Sequence, residues 1–269
     1  MTDRYAVIGN PVAHSKSPLI HAQFARQTGE DIEYGRLLAP LDRFAETVAG
    51  FRAGGGRGAN VTLPFKVEAF RLATTCSARA VTAQAVNTLR FEGDAVYGDN
   101  TDGAGLVRDI RDNLGVAISG SRVLLLGAGG AARGVVAPLL DERPADITVA
   151  NRTVERALEL ERRSDARLRA SSYDALADSS FDIVINATSA SVAGALPPLP
   201  ATVFAGCALA YDMMYGDAAK AFLHAARERG ARACADGLGM LVEQAAESFF
   251  VWRGVRPQTA AVLASLRSA

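Results

Sequence analysis

The chain has 269 residues, of which 49% are hydrophobic and 22% are charged, the composition of an ordinary globular protein. Its 29 basic and 29 acidic side chains cancel, so no net charge attracts nucleic acid or an anionic membrane surface. These figures exclude a disordered chain, a collagen-like repeat and a disulfide scaffold.

Cysteine and histidine usage argues against disulfides and metal binding. Cys76, Cys207 and Cys234 are widely separated and odd in number. The three histidines form no cluster with metal-ligand spacing, so the sequence predicts no metal site. The first residues do not resemble a signal peptide, and the apolar run from Val123 is too short to span a bilayer. We therefore expect a reduced, cytoplasmic protein.

Short apolar runs alternate with helical patterns along nearly the whole chain, which predicts an α/β protein. Strands are predicted near 4–8, 32–38, 59–63, 122–126, 146–150, 182–186, 207–211 and 232–235, with a hairpin over 86–99. Helices are predicted near 18–28, 41–53, 65–73, 103–114, 130–142, 153–163, 217–229, 239–253 and 258–267.

The domain organisation follows from where a nucleotide-binding unit begins. Its first strand starts at Val123, and the helix from Gly103 leads into it. The last two helices follow the final strand and have no sheet of their own, so we expect them to return to the N-terminal domain. We predict a substrate domain at 1–101 completed by 239–269, a Rossmann-like domain at 102–238, and a ligand cleft between them.

A glycine-rich loop follows the strand at Val123 and precedes a helix. It has the form G-x-G-x-x-A, in which the glycines allow a tight turn and close approach of the pyrophosphate, and Ala132 allows close helix packing. The helix that follows points free N–H groups at an anion. The alternative is a glycine-rich turn that binds nothing. The predicted cofactor-binding residues of the loop are Gly127, Ala128, Gly129, Gly130 and Ala131.

The end of the next strand predicts the choice of cofactor. It lacks the acidic residue that would bind an NAD ribose, and Asn151, Arg152 and Thr153 follow instead, with Arg156 one turn later. Thr153 could cap the helix, which places Arg156 in its first turn, where the dipole disfavours a cation unless an anion is bound. The alternative is a solvated basic face. We predict that the cofactor is NADP(H).

Further motifs run in order along the chain. Before the glycine loop they are GNP at 9–11, SKSP at 15–18, NVTLPFK at 60–66, AVNT at 85–88 and GDNTDG at 98–103. After it they are NRT at 151–153, NATS at 186–189, YDMMY at 211–215 and GLGMLVEQ at 237–244. Together these motifs resemble those of the shikimate dehydrogenase family. The resemblance implies an NADP-dependent oxidoreductase that reversibly reduces 3-dehydroshikimate to shikimate in aromatic amino-acid biosynthesis. It also implies small-molecule partners and a monomer or homodimer.

Lys66 and Asp102 are the candidate catalytic residues. Lysine is scarce in this chain, occurring only at Lys16, Lys66 and Lys220. Pro64 stands where a helix would begin and places Lys66 in its first turn, which suits acid–base work, although a surface lysine is the alternative. Asp102 precedes a predicted helix and could be a simple N-cap. The resemblance implies that Lys66 is the catalytic lysine and Asp102 its partner.

The remaining candidates are substrate-binding residues, and most have an ordinary structural alternative. Ser17 before Pro18 could be a helix N-cap, whereas Ser15 has no such alternative. The alternative for Thr62 is an ordinary strand residue, for Asn87 a turn residue, and for Gln244 a residue of a surface helix.

The resemblance implies specific contacts for these residues. In the family, both serine hydroxyls bind the substrate carboxylate. The implied substrate residues are Ser15, Ser17, Thr62, Lys66, Asn87, Asp102, Tyr215 and Gln244, of which Asn87, Asp102 and Gln244 hold ring hydroxyls. Tyr215 could instead be a core aromatic. Met213 and Gly237 are implied to form the wall beside the nicotinamide.

The sequence also departs from the family pattern. The family usually has an acidic residue where Ala78 stands, and a glycine where Gln84 stands. The first departure concerns a minor contact near the cofactor, and the second the packing beside Asn87. Neither touches the lysine or the aspartate.

Two other functions fit the sequence less well. A quinate/shikimate dehydrogenase that uses NAD is disfavoured by the missing acidic residue after Ala150 and by the Ser15 and Ser17 pair. A non-catalytic ligand sensor with the same fold should have lost Lys66 or Asp102, and both are present.

Overall fold

The computed structural model describes residues 2–188 and 196–268. Ser189, the last residue of the NATS motif, lies outside the described residues. The chain forms two compact units, the first made of Met1–Gly105 and Leu241–Ala269 and the second of Leu106–Met240. The chain passes between the units near residues 105 and 240, and both points lie inside helices.

Within the described residues, the first unit is built on six strands: β1 (Asp3–Gly9), β2 (Ile32–Leu38), β3 (Gly56–Val61), β4 (Thr75–Cys76), β5 (Thr88–Glu92) and β6 (Ala95–Asp99). Their order in the sheet is β2–β1–β3–β5–β6–β4. β1 is parallel to β2 and β3, whereas β5 is antiparallel to β3 and β6. The predicted hairpin is confirmed as β5 and β6, which turn at Gly93 with a φ of 52°.

The helices of the first unit are α1 (Ser17–Thr28), α2 (Phe44–Ala53), α3 (Lys66–Leu72), α4 (Ala78–Ala83) and α10 (Ala260–Arg267), with parts of α5 (Asp102–Arg108) and α9 (Leu238–Arg253). On α9, Trp252 Nε1 donates to the carbonyl oxygen of Leu89 in β5 at 2.9 Å. A Cβ atom built on Gly58 in β3 would lie 2.7 Å from the same nitrogen. The indole therefore packs directly on the strand backbones, where a larger residue than glycine would not fit.

The second unit is built, in the part that the structure describes, on six strands: β7 (Arg122–Leu126), β8 (Asp146–Ala150), β9 (Leu168–Ser171), β10 (Ile183–Asn186), β11 (Leu209–Asp212) and β12 (Ala233–Asp236). Their order is β12–β11–β10–β7–β8–β9, and all neighbours are parallel. The strand order therefore reverses beside β7, as in a Rossmann fold, and ligands bind at such reversals. The α/β prediction with a Rossmann-like second sheet is confirmed.

The helices that follow β7, β8 and β11 are α6 (Gly130–Asp141), α7 (Val154–Arg162) and α8 (Asp217–Glu228). The β7 side chains from Val123 to Leu126 are fully buried, as expected for a central parallel strand covered on both faces. Ala132 of α6 is also fully buried, and its small size allows the helix to lie close to the sheet. No helix of the described residues is long and apolar enough to cross a membrane.

Some elements differ from the sequence prediction. The strands β4 and β9 and the helix α4 were not predicted, because two to six residues are too few to show a clear period. The helix predicted over 103–114 is α-helical only to Arg108 and continues as a π-helix over Asp109–Asn113. There the Asp109 carboxylate accepts hydrogen bonds from Tyr211 Oη at 2.6 Å and Asn113 Nδ2 at 2.9 Å.

Candidate active site

Lys66 and Asp102 form an ion pair in the first unit. Lys66 Nζ lies 2.6 Å from Asp102 Oδ2, and the two side chains are 18% and 1% exposed. Lys66 is the first residue of α3, as the sequence predicts. The buried Phe65 precedes it and stacks on Phe44 with ring centroids 4.8 Å apart, which holds the start of α3 in place. A cation is thus held at the protein surface by a buried carboxylate.

The interpretation of Asp102 as a simple N-cap is wrong. Asp102 is the first residue of α5 rather than the residue before it. Its two carboxylate oxygens accept from Lys66 Nζ and, at 2.8 Å, from Asn87 Nδ2. Its backbone N–H donates to Asn100 Oδ1 at 3.2 Å. The carboxylate therefore bonds side chains from other segments rather than the helix backbone, and these bonds orient it toward Lys66.

Asn87 connects three segments of the first unit. Its Nδ2 lies 2.8–2.9 Å from Thr101 Oγ1, Asp102 Oδ1 and Gln244 Oε1. Its Oδ1 accepts from the backbone N–H of Thr101 at 2.8 Å. Asn87 is 2% exposed. Its buried amide joins the AVNT motif to the start of α5 and to α9. The structure thus brings together Lys66, Asn87, Asp102 and Gln244, all of them predicted site residues.

Ser15 and Ser17 also lie together. The Ser15 and Ser17 Oγ atoms are 3.2 Å apart, and the Ser17 N–H donates to Ser15 Oγ at 3.3 Å. The N-cap interpretation of Ser17 is wrong, because Lys16 holds the N-cap position and Ser17 is the first helical residue of α1. It is the Ser15 hydroxyl that accepts a backbone N–H at the start of α1, a role that the sequence did not predict for this residue. Arg36 fixes this turn by donating twice to the Ser15 carbonyl oxygen, at 2.6 and 3.1 Å.

Thr62 follows β3 and is held by its backbone. Its N–H donates to the Ile8 carbonyl at 2.9 Å, and its carbonyl accepts from the N–H of Phe65 at 3.0 Å. A Cβ atom on Gly9 would lie 2.4 Å from Thr62 Cγ2, so the glycine of the GNP motif leaves room for this side chain. Thr62 is half-buried, between the serine turn and α3 in chain order.

A network of buried charges supports the segment before Asp102. Arg79 binds Asp99 through two hydrogen bonds of 2.7 Å and Glu247 through two of 3.1 Å. Burial lowers the pKa of Arg79, but the hydrogen bonds and charges of the two carboxylates outweigh it and raise the pKa overall. Asp99 is 2% exposed and also accepts from the backbone N–H of Asn100 at 2.7 Å. Ala78, where the family is usually acidic, starts α4 beside this arginine.

The sequence motifs indicate neither this network nor a second one around Asn60. Asn60 lies in β3 and bonds Tyr34, Thr88 and Ser248. One signal was available for the last of these, since Ser248 is four residues after Gln244 on α9 and therefore on the same helix face. The pairing of Asn60 with Thr88 follows from strand register and has no local signal.

The glycine loop of the second unit leads into the N-terminus of a helix. Gly127 has a φ of 100°, and a Cβ atom there would lie 3.2 Å from Thr188 Cγ2, so the turn requires glycine. Gly129 is the N-cap of α6, and a Cβ atom on it would meet no atom of the described residues within 4 Å. The described residues therefore leave open space against a helix N-terminus, and N–H groups at such a terminus can bind phosphate. These residues fit the pyrophosphate of a dinucleotide.

The segment after β8 is polar and exposed. Asn151 Nδ2 donates to the Thr153 carbonyl at 2.7 Å, which shapes the turn. Thr153 is the N-cap residue of α7, but its side chain makes no capping hydrogen bond, contrary to the prediction. Arg152 and Arg156 are both exposed beside this helix start. Two cations at the positive end of a helix fit the extra phosphate of NADP.

Met213 and Gly237 lie in direct contact. A Cβ atom on Gly237 would lie 2.3 Å from the Met213 carbonyl oxygen, so no larger residue fits without movement of the backbone. The Gly237 N–H donates to the Met214 carbonyl at 2.9 Å. Tyr215 is half-buried in the turn between β11 and α8, which does not fit the alternative of a core aromatic.

Three family models match the chain. The substrate-binding domain of shikimate dehydrogenase matches residues 7–89, shikimate/quinate 5-dehydrogenase matches 109–193, and the C-terminal domain of shikimate 5′-dehydrogenase matches 237–267. These matches follow one another along most of the chain.

Relatives and solved structures agree with the family models. The shikimate dehydrogenase (NADP(+)) of Nitrosospira multiformis is 60% identical over 100% of this chain and 98% of its own, and that of Dechloromonas aromatica is 61% identical over the same shares. The crystal structure of an Ael1 enzyme from Pseudomonas putida has a TM-score of 0.94 and 52% identity over 98% of both chains. Shikimate 5-dehydrogenase from Thermus thermophilus, in complex with NADP(H) and shikimate, has a TM-score of 0.86 and 31% identity over 99% of both chains. The chain therefore belongs to the shikimate dehydrogenase family.

Proposed function

We propose that this chain is an NADP-dependent shikimate dehydrogenase in which Lys66 and Asp102 carry out the proton transfer. The activity follows from the family and from relatives of about 60% identity that bear this name. The observation that carries the catalytic assignment is the 2.6 Å pair between a partly exposed lysine and a buried aspartate. The reaction is the reversible reduction of 3-dehydroshikimate to shikimate, a step of the shikimate pathway.

The chemistry needs a hydride and a proton. When bound, NADPH supplies the hydride to the carbonyl carbon of 3-dehydroshikimate. Lys66 Nζ donates a proton to the carbonyl oxygen as negative charge develops there, so the C=O double bond becomes a C–OH group. Asp102 accepts a hydrogen bond from the same Nζ and thereby fixes the direction of the ammonium group. In the reverse direction, Lys66 accepts the hydroxyl proton.

We propose that the first unit binds the substrate. Seven of the eight substrate-binding candidates belong to it. Four of them present amide, carboxylate and ammonium groups that suit ring hydroxyls and are joined by hydrogen bonds: Lys66, Asn87, Asp102 and Gln244. Ser15 and Ser17 would bind the substrate carboxylate, since their hydroxyl groups are short neutral donors placed 3.2 Å apart. Thr62 and, from the second unit, Tyr215 complete the proposed set.

The second unit, Leu106–Met240, is proposed to bind NADP(H); the sequence predicts this domain at 102–238. The loop of Gly127, Ala128, Gly129, Gly130 and Ala131 would hold the pyrophosphate at the N-terminus of α6. Asn151, Arg152, Thr153 and Arg156 would bind the 2′-phosphate, and Met213 and Gly237 would lie beside the nicotinamide. The proposed substrate domain is the first unit, Met1–Gly105 with Leu241–Ala269, which the sequence predicts at 1–101 with 239–269.

The protein is further proposed to be cytoplasmic, as a monomer or homodimer with small-molecule partners and without nucleic acid. All three cysteines, which lie in the described part of the chain, are free thiols, as a reducing compartment would keep them.

Use of quinate is the second candidate function, because the family model over residues 109–193 carries both substrate names. Initial rates with shikimate and quinate, each with NADP⁺ and NAD⁺, test both candidates together. We expect the highest kcat/KM with shikimate and NADP⁺. A higher kcat/KM with quinate and NAD⁺ would establish the alternative.

A further inference from the structure

The hydroxyl group of Tyr34 reaches across the sheet of the first unit. Tyr34 lies in β2, and its Oη donates to Asn60 Oδ1 in β3 at 2.8 Å. Its ring stacks on the fully buried His21, with centroids 4.2 Å apart and planes 8° from parallel. Burial raises the pKa of Tyr34, and the neighbouring Ser17 side chain offsets this only in part. Tyr34 is therefore a neutral hydrogen-bond donor in a fixed place.

Tyr34 and the backbone together determine how the amide of Asn60 is turned. Asn60 Nδ2 lies 3.2 Å from the carbonyl oxygen of Asn87, 3.2 Å from Thr88 Oγ1 and 2.9 Å from Ser248 Oγ. A carbonyl oxygen can only accept a hydrogen bond, so the NH₂ group must face Asn87. The Tyr34 hydroxyl satisfies the oxygen on the other side of the amide. The amide is thus held from both ends.

The direction of hydrogen bonding continues from Asn60 to the catalytic pair. The Thr88 hydroxyl accepts from Asn60 and donates to Asn87 Oδ1 at 3.0 Å, and its oxygen also lies 2.8 Å from Ser248 Oγ. Asn87 Oδ1 accepts in addition from the backbone N–H of Thr101 at 2.8 Å, and the amide thus presents Nδ2 to Asp102 Oδ1 at 2.8 Å. The other oxygen of Asp102 accepts from Lys66. Thr88 is fully buried and Asp102 nearly so. Loss of a hydrogen bond at either residue would leave a buried polar group without a partner, which costs free energy.

We propose that Tyr34 is a positioning residue that holds Asp102, and with it Lys66, through this series of hydrogen bonds. The proposal deepens the proposed function and rests on it. Tyr34 touches neither reacting group, so its effect must pass through Asn60, Thr88 and Asn87. Its hydroxyl is the first donor of the series, beside Ser17 at the proposed carboxylate end of the site.

Tyr34→Phe tests the proposal, because it keeps the ring stacked on His21 and removes one O–H group. Without that donor, Asn60 Oδ1 loses its partner and the amide is held only through Nδ2. We expect kcat/KM for shikimate to fall about tenfold, while the KM for NADP⁺ stays unchanged. A merely structural role would lower the melting temperature and leave kcat/KM intact, and that result would overturn the proposal.

Tyr5→Phe is the matched control. Tyr5 belongs to the same group of aromatic rings, stacking on Trp252 with centroids 4.6 Å apart, and its hydroxyl is beside Arg253. We expect Tyr5→Phe to leave kcat/KM within twofold of the wild type. Equal losses in both variants would mean that the aromatic group acts only through overall stability, which contradicts the proposal.

A double-mutant cycle with Asn60→Ala tests the route. If Tyr34 acts through Asn60, Tyr34→Phe should cost less than twofold in kcat/KM once Asn60 is already alanine. Fully additive losses would overturn this route.

Should Tyr34→Phe not fold, Thr88→Val and Thr88→Ser test the next hydrogen bond of the series. We expect valine to lower kcat/KM and serine, which keeps the hydroxyl group, to restore it. Wild-type rates are measured first: an inactive wild type overturns the proposed function and this inference with it, whereas an active wild type with an unaffected Tyr34→Phe overturns the inference alone.

Discussion

The carboxylate of Asp109 occupies the space that a side chain at Gly239 would need. A Cβ atom on Gly239 would lie 1.9 Å from Asp109 Oδ1 and 2.3 Å from its Cγ. Asp109 is fully buried and accepts from Tyr211 Oη at 2.6 Å, so it has little freedom to move. Gly239 belongs to the first turn of α9, two residues after Gly237, and the contact thus fixes where that helix begins.

Gly239→Ala should therefore destabilise the protein. The added methyl group must displace a buried, hydrogen-bonded carboxylate, for which we expect a loss of about 2–4 kcal/mol in the free energy of unfolding. Gly50→Ala is the control, since Gly50 lies within α2 and no atom of the described residues is within 4 Å of its Cβ position. Alanine there should stabilise the helix by about 0.5–1 kcal/mol. Urea unfolding of both variants measures the difference, and an unchanged Gly239→Ala would contradict the crowding argument.

Replacing Lys66 by methionine should lower kcat far more than it weakens substrate binding. Loss of the proton donor should reduce kcat by about 10²–10⁴-fold. The change also leaves the 1%-exposed Asp102 without its cation, at a cost of about 1–3 kcal/mol in stability. This exceeds the gain of about 0.3–1 kcal/mol from removing a cation at the start of a helix. Steady-state kinetics, calorimetric binding of shikimate and thermal unfolding provide the three measurements.

Lys66→Arg separates the two effects. Arginine keeps the charge beside Asp102 but does not release a proton in proteins, so stability should recover while kcat stays low. Lys220→Met serves as a second control, because Lys220 pairs with Asp217 on the exposed surface of α8. Near wild-type turnover by a folded Lys66→Met would refute the assignment of this lysine.

Much of the fold could be predicted because the main strands and helices carry clear hydrophobic periods. Strand β7 is a continuous apolar run before a glycine loop, and its assignment is confirmed. The two-residue β4 and the polar β9 carry too little pattern to be recognised. The π-helix after α5 begins at Asp109, whose carboxylate bonds Tyr211, 102 residues away in sequence, and a contact of that kind leaves no local pattern.

The candidate site was likewise predictable only in part from the sequence. Motifs identified Lys66, Asn87 and Asp102, and the structure places them in contact. They did not indicate which residues support them. Asn60 and Ser248 lie 188 positions apart in sequence and meet only because α9 packs on the first sheet. Contacts of that kind depend on tertiary packing rather than on local sequence.

Alanine at Arg152 and Arg156 should weaken binding of NADPH far more than that of NADH. Each substitution removes a proposed charge-assisted contact to the 2′-phosphate, and such a contact is worth about 1.5–3 kcal/mol. Arg162→Ala is the control, because Arg162 is also exposed but lies in the last turn of α7. Calorimetric titration with both cofactors gives the ratio. Equal losses for NADPH and NADH would show that these arginines do not read the phosphate.

Alanine at Ser15 or Ser17 should raise the KM for shikimate while changing kcat little. A carboxylate contact is present in the ground state and the transition state alike, so its loss weakens both equally. Ser15→Ala also removes the acceptor of the Ser17 N–H, so its melting temperature should fall more than that of Ser17→Ala. Kinetics with varied shikimate test the first point and thermal unfolding the second. A change in melting temperature alone, with KM constant, would assign both serines a structural role.

His21 should make the protein less stable in mild acid. Burial lowers the pKa of its imidazole from 6.5 to about 3, so the folded state keeps it neutral while the unfolded chain binds a proton below pH 6.5. This contribution is fully present above pH 6.5 and is lost as the pH falls toward 3, at up to about 1.4 kcal/mol per pH unit. His21→Phe retains an aromatic ring against Tyr34 and should flatten the decline of the unfolding free energy with falling pH. Urea unfolding at pH 7, 6, 5 and 4 measures that decline.

His224→Ala is the control, since that histidine is exposed beside Glu228 and its removal should leave the pH slope of the unfolding free energy unchanged. Parallel slopes for His21→Phe and the wild type would show that another group causes the acid sensitivity.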